Sequence, residues 1–120
     1  MAHYTPTPSF FKAGENRFRT VLNGKTPDRV PVAAQMHEFS MRQNGLKARE
    51  FYTRAEVFVP AVLKWMEELN IDIPFLDFDA YNIEAEGLGQ NIRYSDDDMP
   101  DVDPHNRLLQ DKSKVLTIRT

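Results

Sequence analysis

The sequence contains no cysteine, and its 120 residues carry neither a long apolar run nor an excess of positive charge. Without cysteine, disulfide scaffolds, thiolate zinc sites and cysteine nucleophiles are excluded within these residues. No apolar run approaches the roughly 20 residues that span a bilayer. The net charge is −3 and the lysines and arginines are scattered, so the chain presents no basic surface for nucleic acid. We therefore expect neither a membrane protein nor a nucleic-acid-binding protein.

The N-terminal stretch "MAHYTPTPSFFKAGENRF" lacks the positively charged start and the apolar core of a signal peptide. The expected location is therefore the cytoplasm. Hydrophobic content of 41% and charged content of 28% are ordinary for a globular protein. Pro6 and Pro8 predict extended chain, and we assign residues 1–15 to an extended, mobile N-terminus that precedes one segment, residues 16–120.

Helices and strands alternate along the pattern of apolar residues. From Ser9, apolar residues recur at helical spacing until Asn23-Gly24, which predicts a short helix that ends there. "VPVAAQM", residues 30–36, is almost wholly apolar and predicts a strand buried on both faces. A short helical piece ending at Asn44-Gly45 follows it.

A longer crossover helix is predicted from Thr53, where "TRAE" forms a capping box between Thr53 and Glu56. Pro60 is expected to kink this helix or to mark its true first turn. "IDIPFLDF" is the second predicted strand, and the helix-like "NIEAEGLG" and a further helix over Pro104 to Lys112 come after it. This order indicates βαβ units with a parallel sheet, either doubly wound or a (β/α) barrel. Since two or three strands cannot close a barrel, we expect an incomplete fold that can self-associate.

Polar side chains follow both predicted strands at the point where each strand ends. Ligands bind at the carboxyl ends of strands in α/β folds, so these side chains are the candidate substrate-binding residues. Carboxylates and an amide suit hydrogen bonding to a polar heterocycle or proton transfer beside it. The alternative is an ordinary solvated turn. The candidates are Gln35, His37 and Glu38 after the first strand, and Asp77, Asp79 and Asn82 after the second.

Three motif-like stretches do not meet the requirements of their motifs. His37-Glu38 begins an HExxH pattern, but Met41 stands where the second histidine would be. "GLGQNI" has Ile92 in place of the third glycine of a dinucleotide fingerprint. "DDDMPDVD" lacks the glycine and the glutamate of a calcium-binding loop. We expect no metal site within this chain.

"NRFRTVLNGKTPDRVPV", the crossover helix and "YNIEAEGLGQNI", in this order, resemble the uroporphyrinogen decarboxylase superfamily. The resemblance runs from about Asn16 to Val102, and "TPDRVPV" with "IEAEGLG" at this separation is its most specific part. The resemblance implies that the chain is the N-terminal portion of a (β/α)8 TIM barrel.

The stretch "AAQMHEFSMRQNG" bears on which branch of the superfamily is similar. Decarboxylases of the superfamily carry an "RQAGR" motif just after the first strand, where the arginine holds substrate carboxylates. In this sequence Arg42-Gln43 falls several residues late, and Gln35 or Met36 occupies the position of that arginine. The aspartate of the decarboxylase "SDIL" motif has Asp77 or Asp79 as its counterpart. The resemblance therefore favours another branch.

"DFDAYNIEAEGLG" is similar to the corrinoid-dependent methyltransferase branch, which moves methyl groups between small molecules or tetrahydrofolate and a corrinoid protein. The resemblance implies that Asn82 and Asp79 bind substrate or pterin, with His37 and Glu38 at the rim. It also implies a cofactor outside this stretch: a corrinoid on a partner protein, tetrahydrofolate, or zinc held by a later part of the barrel. The stretch by itself is expected to be inactive.

Two alternatives stay open. One is uroporphyrinogen decarboxylase itself, in which Asp77 or Asp79 would bind the pyrrole nitrogens. The other is a non-catalytic assembly module that uses the same piece of the fold.

Overall fold

A computed structural model describes residues 4–74 and 83–109 of the chain. The chain divides into two compact units. The first is drawn from Met1–Leu46 and Arg54–Leu76, and the second from Lys47–Thr53 and Asp77–Thr120.

The described residues contain five helices and four short strands. The first unit holds α1 (Pro8–Leu22), β1 (Ala33–Ala34), α2 (His37–Gln43), α4 (Ala55–Glu68) and β2 (Ile73–Pro74). The second unit holds α3 (Ala48–Thr53), α5 (Ile83–Gly87), β3 (Ile92–Arg93) and β4 (Asp101–Val102). The predicted alternation of helix and strand is confirmed.

Strands β1 and β2 form a parallel pair, with Ala33 opposite Ile73 and Ala34 opposite Pro74. Parallel strands need a crossover connection of a dozen or more residues, and the helical chain between Ala34 and Ile73 supplies it. The first unit is therefore an α/β arrangement of the kind found in an incomplete (β/α) barrel.

Helix α1 begins with Pro8, where the missing N–H costs nothing because the first helical N–H groups have no partner in the helix. It ends at Leu22, and Gly24 adopts the left-handed conformation with φ of 68°. The expected stop at Asn23-Gly24 is confirmed. The boundary that we placed at residue 15 falls inside this helix, so the extended chain described before it is Tyr4–Thr7.

Glycine at position 14 allows α1 to approach the start of β2 closely. Gly14 is buried, and a Cβ atom there would lie 2.2 Å from the backbone oxygen of Asp72. Any larger residue would push the helix away from the strand.

The expectation that "VPVAAQM" is buried on both faces is wrong. Val30 is 80% exposed and Val32 is 43% exposed, while Met36 is buried. Only Ala33 and Ala34 of this run form a strand. Among the described residues β1 pairs with β2 alone, so one edge of β1 has no neighbouring strand.

The predicted capping box at the start of α4 is also wrong. Arg54 is the residue before the helix, and its backbone oxygen accepts hydrogen bonds from the N–H groups of Val57 and Phe58. The Thr53 hydroxyl donates instead to the backbone oxygen of Arg49, one turn back in α3. Glu56 pairs with the Arg54 side chain at 2.8 Å. Local side-chain bonds of this kind compete with a cap.

Helices α2 and α4 enclose the apolar core of the first unit. The Asn44 side chain connects them, because its amide donates to the backbone oxygens of Ser40 at 2.7 Å and Ala61 at 3.4 Å. Pro60 lies within α4, in its second turn. The core side chains are Met41, Phe58, Ala61, Val62, Met66 and Ile71.

In the second unit, the predicted helix over Pro104 to Lys112 is wrong as far as the structure describes it, to Leu109. The side-chain carboxylate of Asp103 accepts a hydrogen bond from the N–H of His105. The backbone oxygen of Asp103 accepts one from the N–H of Asn106, and these two bonds form a turn. The buried Gln90 then holds the following chain by bonding the oxygen of Asn106 and the N–H of Leu108. Strands β3 and β4 pair antiparallel beside this turn.

Across the described parts of the chain, no helix combines the length and the apolar character needed to cross a membrane.

Candidate functional site

The candidate site lies at the carboxyl end of the β1–β2 pair. Both strands run in the same direction, so their carboxyl ends lie at one edge. Gln35, His37 and Glu38 follow β1 at this edge, as expected. The candidates after β2, which are Asp77, Asp79 and Asn82, lie outside the residues that the structure describes. The convergence of the two groups therefore stays a prediction.

The two residues that connect β1 to α2 differ in burial. Gln35 is exposed, whereas Met36 is buried, 8% exposed, and its backbone oxygen accepts the N–H of Ser40 to start α2. Because the buried Met36 side chain holds the connection between β1 and α2 in place, the backbone of the neighbouring Gln35 is held as well.

His37 and Glu38 occupy the first turn of α2, and both are half-buried. The imidazole ring of His37 contacts the ring of Phe58 edge to face, with 5.1 Å between centroids and 67° between planes. Phe58 is 1% exposed, so the core of the first unit supports one side of His37. Glu38 lies where a carboxylate is favoured by the partial positive charge of a helix start.

No lysine or arginine lies between Ala33 and Met41. The nearest arginine that follows β1 is Arg42, which is exposed and lies in the last turn of α2. At about 1.5 Å of rise per residue, five residues separate it from His37 by about 7.5 Å along the helix. The segment Ala33–Met41 at this edge therefore offers an amide, an imidazole and a carboxylate, and it contains no lysine or arginine.

Sequence analysis missed a second polar cluster, which lies at the other end of the strands. Asp72 precedes β2, and its side chain is 2% exposed. Its Oδ1 atom accepts a hydrogen bond from Arg17 at 2.5 Å and one from Arg29 at 2.7 Å. Its Oδ2 atom accepts the backbone N–H of Val32 at 2.9 Å, and its own N–H donates to the Val32 oxygen at 2.9 Å. We call these residues, with Asp28, the Asp72 network.

Asp28 completes the Asp72 network from the solvent side. Its two carboxylate oxygens accept bonds from Arg17 at 2.6 Å and 2.9 Å. The Arg17 guanidinium lowers the pKa of Asp28, and Asp28 in turn raises the pKa of Arg17. Two cations and two carboxylates thus join α1, the turn before β1, and the start of β2. The one sequence signal for this cluster was Asp72, a charged residue among apolar ones in "IDIP", directly before β2.

Within residues 4–74 and 83–109, no three histidine or acidic side chains gather closely enough to hold a metal ion.

Comparison with protein-family models gives one decisive match. The model described as uroporphyrinogen decarboxylase matches residues 13–119, which is most of the chain. The chain belongs to the uroporphyrinogen decarboxylase family.

The uroporphyrinogen decarboxylase family has a TIM-barrel fold, and the parallel pair with its crossover helices agrees with part of such a barrel. In such barrels the active site lies at the carboxyl ends of the strands, whereas the opposite end serves stability. Gln35, His37 and Glu38 therefore lie on the active-site side, and the Asp72 network lies on the stability side. Comparisons with curated protein sequences and with solved structures give no match.

The family relation gives the "TPDRVPV" stretch a physical role. Asp28 and Arg29, which lie in this stretch, both belong to the Asp72 network. This stretch thus forms the base of the strand pair rather than the edge at its carboxyl end.

Proposed function

We propose that this chain is part of a methyltransferase in a corrinoid-dependent methyl transfer system, in which a small substrate or tetrahydrofolate exchanges a methyl group with a corrinoid protein. The observation that carries the proposal is the absence of a cation from the segment Ala33–Met41 at the carboxyl end of β1. A porphyrinogen carries several carboxylates, and binding them calls for arginine or lysine close to the strand end. A small neutral or cationic methyl donor makes no such demand.

The proposal assigns a role to each side chain at this edge. Gln35 would hydrogen-bond the polar part of the substrate, because its amide can both donate and accept. The carboxylate of Glu38 favours a neutral or positively charged group beside it, such as a cationic methyl donor or the uncharged pterin ring of tetrahydrofolate. Asp77, Asp79 and Asn82 would complete the binding surface from the end of β2. A cytoplasmic location belongs to the same proposal.

His37 would supply the proton that methyl transfer from a neutral donor requires. The methyl group leaves without its bonding electrons, so the donor atom keeps the electron pair; a neutral donor then needs a proton, whereas a cationic donor becomes neutral without one. Imidazole can hold or release a proton near neutral pH, and the Phe58 ring limits how His37 turns. A corrinoid on a partner protein would supply the cobalt that takes or gives the methyl group, while this chain binds and orients the substrate.

The test is made on the gene product at its native length, which intact mass spectrometry establishes. The protein is incubated with methylcobalamin and tetrahydrofolate, or with reduced cobalamin and a small methylated donor, and the visible spectrum of the cobalamin is followed. Spectral change that depends on the protein supports the proposal. His37→Gln and Glu38→Gln are expected to slow it, whereas the exposed Glu56→Gln on α4 is not.

The family description also favours uroporphyrinogen decarboxylase itself as a second candidate. Release of carbon dioxide from uroporphyrinogen by the native-length protein, with no change in cobalamin, would overturn the methyltransferase proposal. A protein inactive in both assays would contradict both enzymatic functions.

A further inference from the structure

The extended segment Tyr4–Thr7, which we call the strap, lies on one face of α4. The hydroxyl of Tyr4 donates to the Glu67 carboxylate and, at 3.3 Å, contacts the backbone oxygen of Leu63. The backbone N–H of Thr7 donates to the same Glu67 oxygen at 3.3 Å. Phe58 marks the core-facing side of α4. Glu67 follows it by nine residues, which is two and a half helical turns, so Glu67 and the strap lie on the opposite side of the helix.

One carboxylate therefore carries the polar contacts at both ends of the strap. The bonds from Thr7 and Tyr4 lower the pKa of Glu67. Burial of Tyr4, followed by its bond to Glu67, raises the pKa of the phenol. Both shifts keep the donor protonated and the acceptor ionised over the whole neutral range. Among the residues that the structure describes, Lys64 and Glu68 are the other charged groups that line the same shallow groove.

Attachment of the strap also fixes the start of α1. Thr7 is the residue that precedes this helix, and its backbone oxygen accepts the N–H of Phe10 at 3.0 Å. Pro6 and Pro8 restrict the backbone on both sides of Thr7, so little chain freedom lies between the strap and the helix. Further along, Gly14 and Arg17 hold the middle of α1 against Asp72.

We propose that the strap is a latch that fastens the beginning of α1 to α4 through the charge of Glu67, and that loss of this charge releases it. Released, the strap no longer forms one wall of the groove, and the start of α1 loses its polar contacts with α4 while Gly14 and Arg17 still hold the middle of the helix. This device does not depend on the proposed methyl transfer. It replaces the expectation of a mobile N-terminus with a docked one.

The pH dependence of the latch follows from the sign of the shift at Glu67. A carboxyl group whose pKa is lowered in the folded protein stabilises it above the ordinary value of 4.5, and this contribution is lost as the pH falls through the lowered pKa. The latch is therefore closed at neutral pH and opens only in acid.

The experiment compares Glu67→Gln with Glu68→Gln in the native-length protein. Both remove one negative charge from the end of α4, but the hydrogen bonds from Tyr4 and Thr7 go to Glu67. Hydrogen exchange of the Thr7 amide is measured by nuclear magnetic resonance at neutral pH. We expect Glu67→Gln to speed exchange roughly two- to fivefold, the range for a partly exposed charged contact, and Glu68→Gln to leave it unchanged.

Three further measurements guard against a false result. Because glutamine can still accept a hydrogen bond, Glu67→Ala is expected to speed Thr7 exchange at least as much as Glu67→Gln. In both variants the phenol of Tyr4 should titrate at lower pH than in the unmodified protein. Protected amides at Val62 and Met66 in the core show that the variants are folded. Equal Thr7 exchange in the Glu67 and Glu68 variants, or an unchanged Tyr4 titration, would overturn the latch.

Discussion

An Asp72→Asn substitution removes the charge that Arg17 and Arg29 share and leaves the shape of the side chain nearly unchanged. The carboxylate is 2% exposed and accepts three hydrogen bonds, two of them from guanidinium groups. Asparagine has one acceptor oxygen and one NH₂ group, and the NH₂ group faces a donor wherever it is placed. The substitution therefore loses charge and opposes donor to donor.

The loss of stability depends on how well solvent and the remaining partners satisfy the two arginine charges after the substitution. Removing one partner of a buried ion pair costs about 3–5 kcal/mol when the remaining charge stays buried. Arg29 is 38% exposed and Arg17 retains Asp28, so both remaining charges are partly satisfied. We therefore expect Asp72→Asn to lower the free energy of unfolding by about 2–3 kcal/mol.

Urea unfolding monitored by tryptophan fluorescence measures this change in the free energy of unfolding for the first unit of the chain. Trp65 is the single tryptophan of the sequence and lies in α4 of the first unit. With a slope of about 1 kcal/mol per molar urea, the midpoint should fall by about 2–3 M.

Asp28→Asn is the matched control, because Asp28 binds the same Arg17 but its side chain is 67% exposed. Its effect on the midpoint should be clearly smaller. If the two variants unfold at the same urea concentration, burial of Asp72 does not set the strength of the network and our reasoning fails.

Three further expectations concern other parts of the chain. Gly14→Ala should destabilise the first unit by about 1–3 kcal/mol, since the new methyl group would lie 2.2 Å from a backbone oxygen; Gly87→Ala, which meets nothing within 4 Å, is its control in urea unfolding. Phe58→Ala should cost about 3–5 kcal/mol by leaving a cavity, whereas Phe58→Leu should cost less by the same assay. Lys47 lowers the pKa of Asp96, so the contribution of this pair is present above the ordinary value of 3.8 and lost as the pH falls through the lowered value. Lys47→Met should move the carboxyl titration of Asp96, followed by nuclear magnetic resonance, back upward.

Local chemistry made part of the fold predictable. The end of α1 at Asn23-Gly24 and the end of α2 at Asn44-Gly45 depend on residues that tolerate the left-handed conformation, and Gly24 and Gly45 adopt it with φ of 68° and 62°. The parallel pair followed from the order of the elements. These features need no knowledge of distant residues.

Features that depend on distant contacts were not predictable in the same way. Arg17 meets Asp72 across 55 positions and Arg29 meets it across 43. No local pattern encodes such a meeting. The exposure of Val30 and Val32 likewise depends on which distant elements pack against them, not on their own apolar character.

The candidate site was predictable to the extent that it is local. Gln35, His37 and Glu38 follow directly from the end of β1, and the structure places them there. The support that Phe58 gives to His37 was not predicted, because it depends on how α4 packs across α2.

The shortness of β1 has a consequence for engineering the protein. Val32 belongs to the Asp72 network and Gln35 belongs to the candidate site, and only Ala33 and Ala34 lie between them. At about 3.3 Å per residue the two positions are about 10 Å apart. Substitutions at such a separation have nearly additive effects when they share no partner. Variants that strengthen the Asp72 network and variants that change the candidate site can therefore be made separately and then combined. The effect of each combination is expected to be close to the sum of the effects of its single variants.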